Sequence, residues 1–229
     1  MERLQLIQQL IDKRQYSSYL EIGVLGGNNF FPVKCAKKIA VDPEFKFNWK
    51  GRLGETLKNT SNVGALFFEK TSDKFFEQNA SALFRKKKLD IALVDGMHEF
   101  DFALSDVLNC LKYLSDDGVI IMHDCNPASV EAEVSFQQWK DRGFTGLWNG
   151  DVWKVITYLK DNRDDLDVFV ADCDHGLGVI TKGKRLINKP KFDSMHKVRA
   201  LDYNALVSQR EELINLKSVA YLKDFINRS

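Results

Sequence analysis

Two short clusters in this chain carry residue types that move protons. Asp95-Gly-Met-His98 sets a carboxylate and an imidazole three positions apart, and His123-Asp124 sets the same pair side by side. Imidazole ionises close to neutrality, so a neutral histidine can take a proton from a hydroxyl. A carboxylate near it can orient the ring or help hold a divalent cation. A third group is of another kind. Tyr19-Leu-Glu-Ile-Gly-Val-Leu-Gly-Gly-Asn-Asn-Phe30 runs an apolar stretch into glycines, and Ile39-Ala-Val-Asp42 ends in a carboxylate 21 residues after Glu21. Glycine lets a backbone pass close under a ligand with no Cβ in the way. An acid at the tip of the next strand can accept both hydroxyls of a ribose.

Each cluster follows an apolar run, and those runs must position it. Tyr19–Ile22, Lys38–Asp42, Ala65–Glu69, Leu89–Val94 and Val119–Met122 read as strands alternating with helical periodicity, which predicts parallel βαβ units. Leu4, Ile7, Leu10 and Ile11 mark a helix over 2–14. Residues 28–37 are expected to form the first crossover helix, with Pro32 in its first turn and its opening amides facing the ligand. Residues 44–62 read as a loop, a candidate lid with a short helix near Gly54–Asn59. Ser72-Asp73 opens a helix carrying Phe75, Phe76, Ala80 and Leu83, and 99–114 is strongly periodic. Asp116-Asp117-Gly118 reads as a turn, and 128–141 and 151–160 as helices. Leu166–Ala171 and Gly178–Thr181, parted by Asp172-Cys-Asp-His-Gly176, predict an antiparallel hairpin at the sheet edge. A basic, polar stretch follows Gly183, and Tyr203–Asn227 reads as helical. The expected fold is α/β, Rossmann-like and doubly wound. It has a mostly parallel seven-stranded sheet over 1–185 and a helical C-terminal extension over 186–229, packed on the same domain.

The glycine order narrows the ligand. A dinucleotide turn wants Gly-x-Gly-x-x-Gly because a pyrophosphate must lie against it. Here Leu25 stands where the second glycine is needed, within Gly23-Val-Leu-Gly26-Gly27, and Glu21 would repel a pyrophosphate. A carboxylate at that strand end suits a cationic or zwitterionic nucleoside. The pattern Glu-x-Gly-x-x-x-Gly resembles the first motif of class I S-adenosylmethionine-dependent methyltransferases. That resemblance implies that Glu21 lies near the methionyl end and that Asp42 holds the ribose.

An ordered series extends the likeness. Thr71-Ser72-Asp-x-Phe-Phe76, Asp90-x-x-x-x-Asp-Gly-x-His98, Gly118-Val-Ile-Ile-x-His-Asp124, Gly150-Asp-Val-Trp-Lys154 and Asp174-His-Gly-Leu-Gly-Val-Ile180 are similar to the macrocin-type sugar O-methyltransferase group (methyltransferase domain family 24), over roughly residues 15–185. The resemblance implies methyl transfer from S-adenosylmethionine to a sugar or glycan hydroxyl. It makes His98 the general base and Asp95 and Asp124 ligands of Mg²⁺. It places Glu21, Gly23, Gly26, Gly27, Asp42, Thr71, Ser72 and Asp95 around the donor, since the loop after the third strand borders the adenine. One departure stands out: members often carry two adjacent acids where this chain has His123 before Asp124.

Composition sets the remaining bounds. Among 229 residues, Lys+Arg number 33 and Asp+Glu 32, so no global field draws nucleic acid or an anionic surface. Arg85-Lys-Lys-Lys88 is a local excess, with the reading of a solvated helix end. Cys35, Cys110, Cys125 and Cys173 show no zinc spacing. No apolar run is long enough to span a bilayer, and Met1–Leu10 is too polar for a signal peptide, so the expected location is cytoplasmic. Trp148 and Trp153 are candidates for stacking on a sugar ring, against packing in the core; His175 reads as a turn residue, and His196 carries no signal. The expected partner is a small-molecule or glycan acceptor, with the amphipathic C-terminal helix available for self-association. An NAD-dependent oxidoreductase and a non-catalytic nucleoside-binding scaffold are the two rival classes.

Overall fold

In the computed structural model of the protein, residues 1–184, 186 and 190–228 are described. The chain divides into two compact units, one of residues 1–96, 105–121 and 226–229, the other of 97–104 and 122–225. Eight strands follow the order β3-β2-β1-β4-β5-β7-β6-β8, one strand more than the sequence reading gives.

The first unit begins with α1 (Arg3–Arg14), which buries Leu6, Ile7, Leu10 and Ile11. β1 (Ser18–Ile22) and β2 (Lys37–Asp42) follow, then α2 (Trp49–Lys58) and β3 (Leu66–Glu69). α3 (Ser72–Phe75) and α4 (Ser81–Phe84) are joined by a π turn over Phe76–Ala80. β4 (Leu89–Val94) leads into α5 (Phe100–Tyr113) and β5 (Leu114–Met122). β1 pairs in parallel with both β2 and β4, and β2 with β3. The chain therefore leaves β1 toward one side and later returns to its other side. This is the switch in strand order that opens a crevice at the carboxyl ends of a doubly wound sheet. Asp116–Gly118 is not a turn but part of β5, which starts at Leu114.

The crossover from β1 to β2 departs from the sequence reading. No helix spans 28–37; the segment is a series of turns. The reason is a buried cation. Lys38, fully buried, sends its ammonium back to the carbonyls of Phe30 and Val33 (2.8 Å) and to Asn62 Oδ1 (2.6 Å), with Phe31 O at 3.4 Å. The Asn59 amide adds donors to Phe31 O (2.8 Å) and Val33 O (3.0 Å). Carbonyls captured by side chains are not available to amides one turn on, and Pro32 contributes no amide at all. An aromatic cluster packs the segment instead: Phe30 and Phe31 meet Phe67, and Phe31 meets Phe47.

The second unit carries α6 (Phe136–Asp141), α7 (Trp153–Asn162), β6 (Leu166–Ala171) and β7 (Leu177–Lys182). β6 and β7 form the expected antiparallel hairpin, from Leu166 opposite Lys182 to Ala171 opposite Leu177. The helix expected over 128–141 is confined to α6, whose N-terminus is closed by a capping box between Ser135 and Gln138. The C-terminal stretch is not one helix. It reads α8 (Met195–Arg199), α9 (Tyr203–Ser208), α10 (Arg210–Ile214), β8 (Leu216–Lys217) and α11 (Val219–Asn227). Asn215 takes a left-handed φ of 49° and ends α10, which lets Leu216 and Lys217 pair in parallel with Val170 and Ala171. Among the described residues, no helix is long and apolar enough to cross a membrane.

Candidate active site

In the first unit, Glu21, Gly23, Asp42 and Asp95 occupy the carboxyl ends of β1, β2 and β4. Gly23, at φ 84°, cannot be replaced: a Cβ there would lie 2.0 Å from Asp95 O. Gly27, at φ 80°, is held as tightly, with the Phe31 ring 2.3 Å from the missing Cβ. Gly26 meets nothing closer than 3.9 Å, so the fold does not require it to be glycine. Leu25, exposed and left-handed at φ 46°, donates its amide to Asp42 Oδ2 at 2.7 Å. Glu44 donates its amide to Asp42 Oδ1 at 2.8 Å. Asp42 thus ties the glycine turn to the end of β2, with each carboxylate oxygen keeping capacity for a second donor.

Glu21 is 1% exposed and accepts the Tyr19 hydroxyl. Burial pushes its carboxyl up to about 8, against the pull of the Tyr19 hydrogen bond and with the Asp95 charge adding to the rise. Asp95 Oδ2 lies 3.7 Å from the Arg3 guanidinium, a partner from α1 that the sequence reading missed. Thr71 caps α3, its hydroxyl accepting from Lys74 N at 3.5 Å. Ser72 hydrogen-bonds the carboxyl of Asp106, which burial drives up to about 7. Asp106 was also missed, although an acid beside Ala103, Val107 and Cys110 on the apolar side of a helix is a legible signal. It stands next to the β4 loop, its Oδ2 3.7 Å from where a Gly96 Cβ would be.

The second unit carries the imidazoles. His98 Nδ1 is 2.8 Å from Trp148 O and 3.2 Å from Asp124 Oδ2, and its ring stacks on the Trp148 indole at 4.7 Å. Trp148 stacks in turn on Trp139, also at 4.7 Å, and donates its own N–H to Val134 O. Both candidate tryptophans are therefore used by the protein. Trp148 is the wall against which His98 leans, while Trp153 is fully buried with its N–H on Glu133. Gly150, at φ 60°, lets the backbone press on His98, whose carbonyl would lie 1.6 Å from a Cβ. A proton on Nδ1, donated to a backbone carbonyl, leaves the imidazole lone pair on Nε2.

Asp124 is the hub. Its Oδ1 accepts from Asn149 Nδ2 at 2.6 Å, and its Oδ2 faces both His98 Nδ1 and His123 Nδ1, the latter at 3.0 Å. His123, buried, continues the chain through Nε2 to Asp174 Oδ1 at 3.4 Å, and His175 meets the His123 ring edge-on at 5.8 Å. Asp124, Asp174 and His175 all have left-handed backbones, at φ 62°, 46° and 60°. Such residues cost of order 1–3 kcal/mol each and persist where the surroundings over-determine them. Asn149 Oδ1 is buried with no hydrogen-bond partner among the described residues. His196 lies on α8, away from this cluster in the sequence, and forms no part of it.

Comparison with known proteins shows what this arrangement is similar to. A family model described as a methyltransferase domain matches residues 20–125, the stretch from β1 through Asp95, His98 and Asp124. Over that stretch the chain is similar to a methyltransferase domain. Solved structures are similar in fold. Cofactor-bound Rv0187 from MTB shows 11% identity and a TM-score of 0.56, with 82% of each chain covered. The SAH-bound methyltransferase PaMTH1 of Podospora anserina shows 15% identity and 0.53, with 80% of each covered. An O-methyltransferase family protein from Burkholderia thailandensis shows 10% identity and 0.52, covering 80% of this chain and 55% of that one. At these identities the likeness is one of fold. No curated protein sequence matches the chain. Likeness to a methyltransferase domain fits the glycine order and the acids at the β1 and β2 ends.

Proposed function

We propose that this protein is an S-adenosylmethionine-dependent methyltransferase that methylates a hydroxyl of a sugar or glycan, with His98 as the general base. The observation that carries the reading is the mooring of His98. Its Nδ1 is directed at Trp148 O and Asp124, and its ring is packed on Trp148, so the basic nitrogen is Nε2. The donor, S-adenosylmethionine, supplies an electrophilic methyl on sulfur. The crevice suits it, because the Asp42 and Asp95 carboxylates stand at the ends of β2 and β4, favouring a ribose and a cation over a phosphate. Glu21, Gly23, Gly26, Gly27, Asp42, Thr71, Ser72 and Asp95 are assigned to donor binding, Asp42 to the ribose hydroxyls.

A sugar hydroxyl ionises far above neutrality, so it must lose its proton as it attacks. The acceptor oxygen forms the new bond to the methyl carbon while the carbon–sulfur bond breaks, and His98 Nε2 takes the proton. A well-placed base contributes about 10²–10⁴-fold. Asp124 keeps the ring in one tautomer and offsets the positive charge it acquires, as an orienting carboxylate does in hydrolytic triads. The sugar class rests on the motif series running from Thr71 to Ile180.

A divalent cation on Asp95 and Asp124 is the second reading, and it rests on the motif resemblance of Asp95-Gly-Met-His98 and His123-Asp124. Against it, both carboxylates already have protein partners, Arg3 for Asp95 and Asn149, His98 and His123 for Asp124. No step is routed through the cation for that reason. The test is a methyl-transfer assay on a panel of free sugars, nucleotide sugars and glycans, with and without a chelator. His98→Gln should lower turnover by about 10²–10⁴-fold and leave calorimetric affinity for S-adenosylhomocysteine unchanged. Full turnover in that variant removes His98 as base, and loss of turnover on chelation restores the metal. A chain that binds the donor yet methylates no acceptor in any class is the scaffold alternative.

A further inference from the structure

α2 is an inside-out helix. Trp49, Leu53 and Leu57 recur at i, i+4 and i+8, which places them on one stripe. In a helix packed on a core that stripe turns inward. Here the three residues are 69%, 54% and 78% exposed, and no residue of α2 is buried. The side turned to the protein is polar: Arg52 lies over the Phe67 ring at 3.8 Å, and Glu55 and Thr56 are half-buried. The carbonyl of Glu55 accepts from the buried Asn62 amide at 3.1 Å. Val63 and Leu66, soon after in the chain, are exposed as well.

We infer that α2 docks in the interface of a membrane bearing anionic lipid, with Trp49, Leu53 and Leu57 entering the headgroup–acyl boundary. Two features favour a bilayer over a protein. The first is charge. The stretch 44–58 carries Lys46, Lys50, Arg52 and Lys58 against Glu44 and Glu55, and Lys50 borders the apolar stripe directly. Tryptophan and leucine on one face with lysine at its margin is the pattern of an interfacial helix. The second is size. A stable protein interface covers about 800 Å² per partner, more than three side chains supply, whereas shallow insertion into lipid needs only the apolar stripe and its cations. The inference concerns α2 alone and stands whatever the methyl acceptor is.

The full chain would be sedimented with vesicles of phosphatidylcholine, and with vesicles also containing phosphatidylglycerol, while tryptophan emission is recorded. Trp49 is exposed, whereas Trp139 and Trp148 are half-buried and Trp153 is buried, so an emission shift reports on α2. The expected result is binding to the anionic vesicles only, with a blue shift absent from Trp49→Phe and weaker binding at high salt. Leu53→Glu with Leu57→Glu should abolish binding, and Lys50→Gln should weaken it about fivefold. All these side chains are exposed, so melting should not change, and Lys50→Gln carries the test should the double variant fold poorly. Equal binding to neutral vesicles, or binding that the substitutions leave intact, overturns the inference. Self-association that the double variant disperses would make a second copy the occupant and overturn it too.

Discussion

Replacing Glu21 with glutamine should flatten the pH dependence of stability on the acid side of pH 8. Glu21 is 1% exposed, and burial raises its carboxyl from 4.5 to about 8 in the folded protein. Unfolding returns it to water and to its ordinary value. Between those two values the folded chain holds a proton that the unfolded chain has released. Stability from this group is therefore complete below about 4.5, falls as pH rises, and levels off above about 8. At about 1.36 kcal/mol per pH unit, the whole window is worth at most about 5 kcal/mol, and the span from pH 5 to 7.5 about 3 kcal/mol. Glutamine holds no titrating proton yet still offers the Tyr19 hydroxyl an acceptor. Urea unfolding of both proteins at a series of pH values gives a difference curve in which all other groups cancel. The variant should gain on the parent by about 3 kcal/mol across that span. A difference curve that stays level within about 0.5 kcal/mol, or slopes the other way, would refute the buried, proton-bearing carboxyl.

Three further outcomes are expected. Lys38→Met removes the ammonium that meets Phe30 O, Val33 O and Asn62 Oδ1, and should cost about 3–5 kcal/mol, as breaking a buried charged network does; a thermal melt lowered by only a degree or two would show those carbonyls are met otherwise. Gly23→Ala should lower the melting temperature steeply, because its Cβ would collide with Asp95 O, while Gly26→Ala should melt like the parent; equal melting of the two variants would sink the argument from close approach. Asp124→Asn should lower methyl transfer by at least about 10²-fold with donor affinity unchanged, by analogy with the loss of an orienting carboxylate, and unaltered turnover would take Asp124 out of the site.

Much of this was legible in the chain because the signals are local. Apolar runs of strand length sit between periodic segments, and each chemical cluster follows a strand, so His98, Asp124 and Asp42 could be placed at strand ends before any coordinates. The hairpin of β6 and β7 followed from two short apolar runs around an Asp/Gly turn. What could not be read was set by partners distant in sequence. Residues 28–37 have a passable helical composition, yet Lys38, Asn59 and Asn62 take their carbonyls. The two residues of β8 are strand only because β6 has an open side there. Arg3 against Asp95 spans 92 positions, and no local pattern announces it. Trp148 was open to sugar stacking or to core packing, because a lone tryptophan gives no hint that a histidine 50 positions earlier occupies its face.

The turn-built crossover between β1 and β2 bears on which cofactors the domain can refuse. A helix starting under the glycines would aim a row of unpaired amides and a partial positive charge at the crevice, the usual berth for a diphosphate. In this chain the corresponding positive charge is the Lys38 ammonium, sealed beneath the loop with its protons already spoken for. A diphosphate at this turn would thus meet the Asp42 carboxylate in front of it and no helix start behind it, because the backbone route between β1 and β2 provides none.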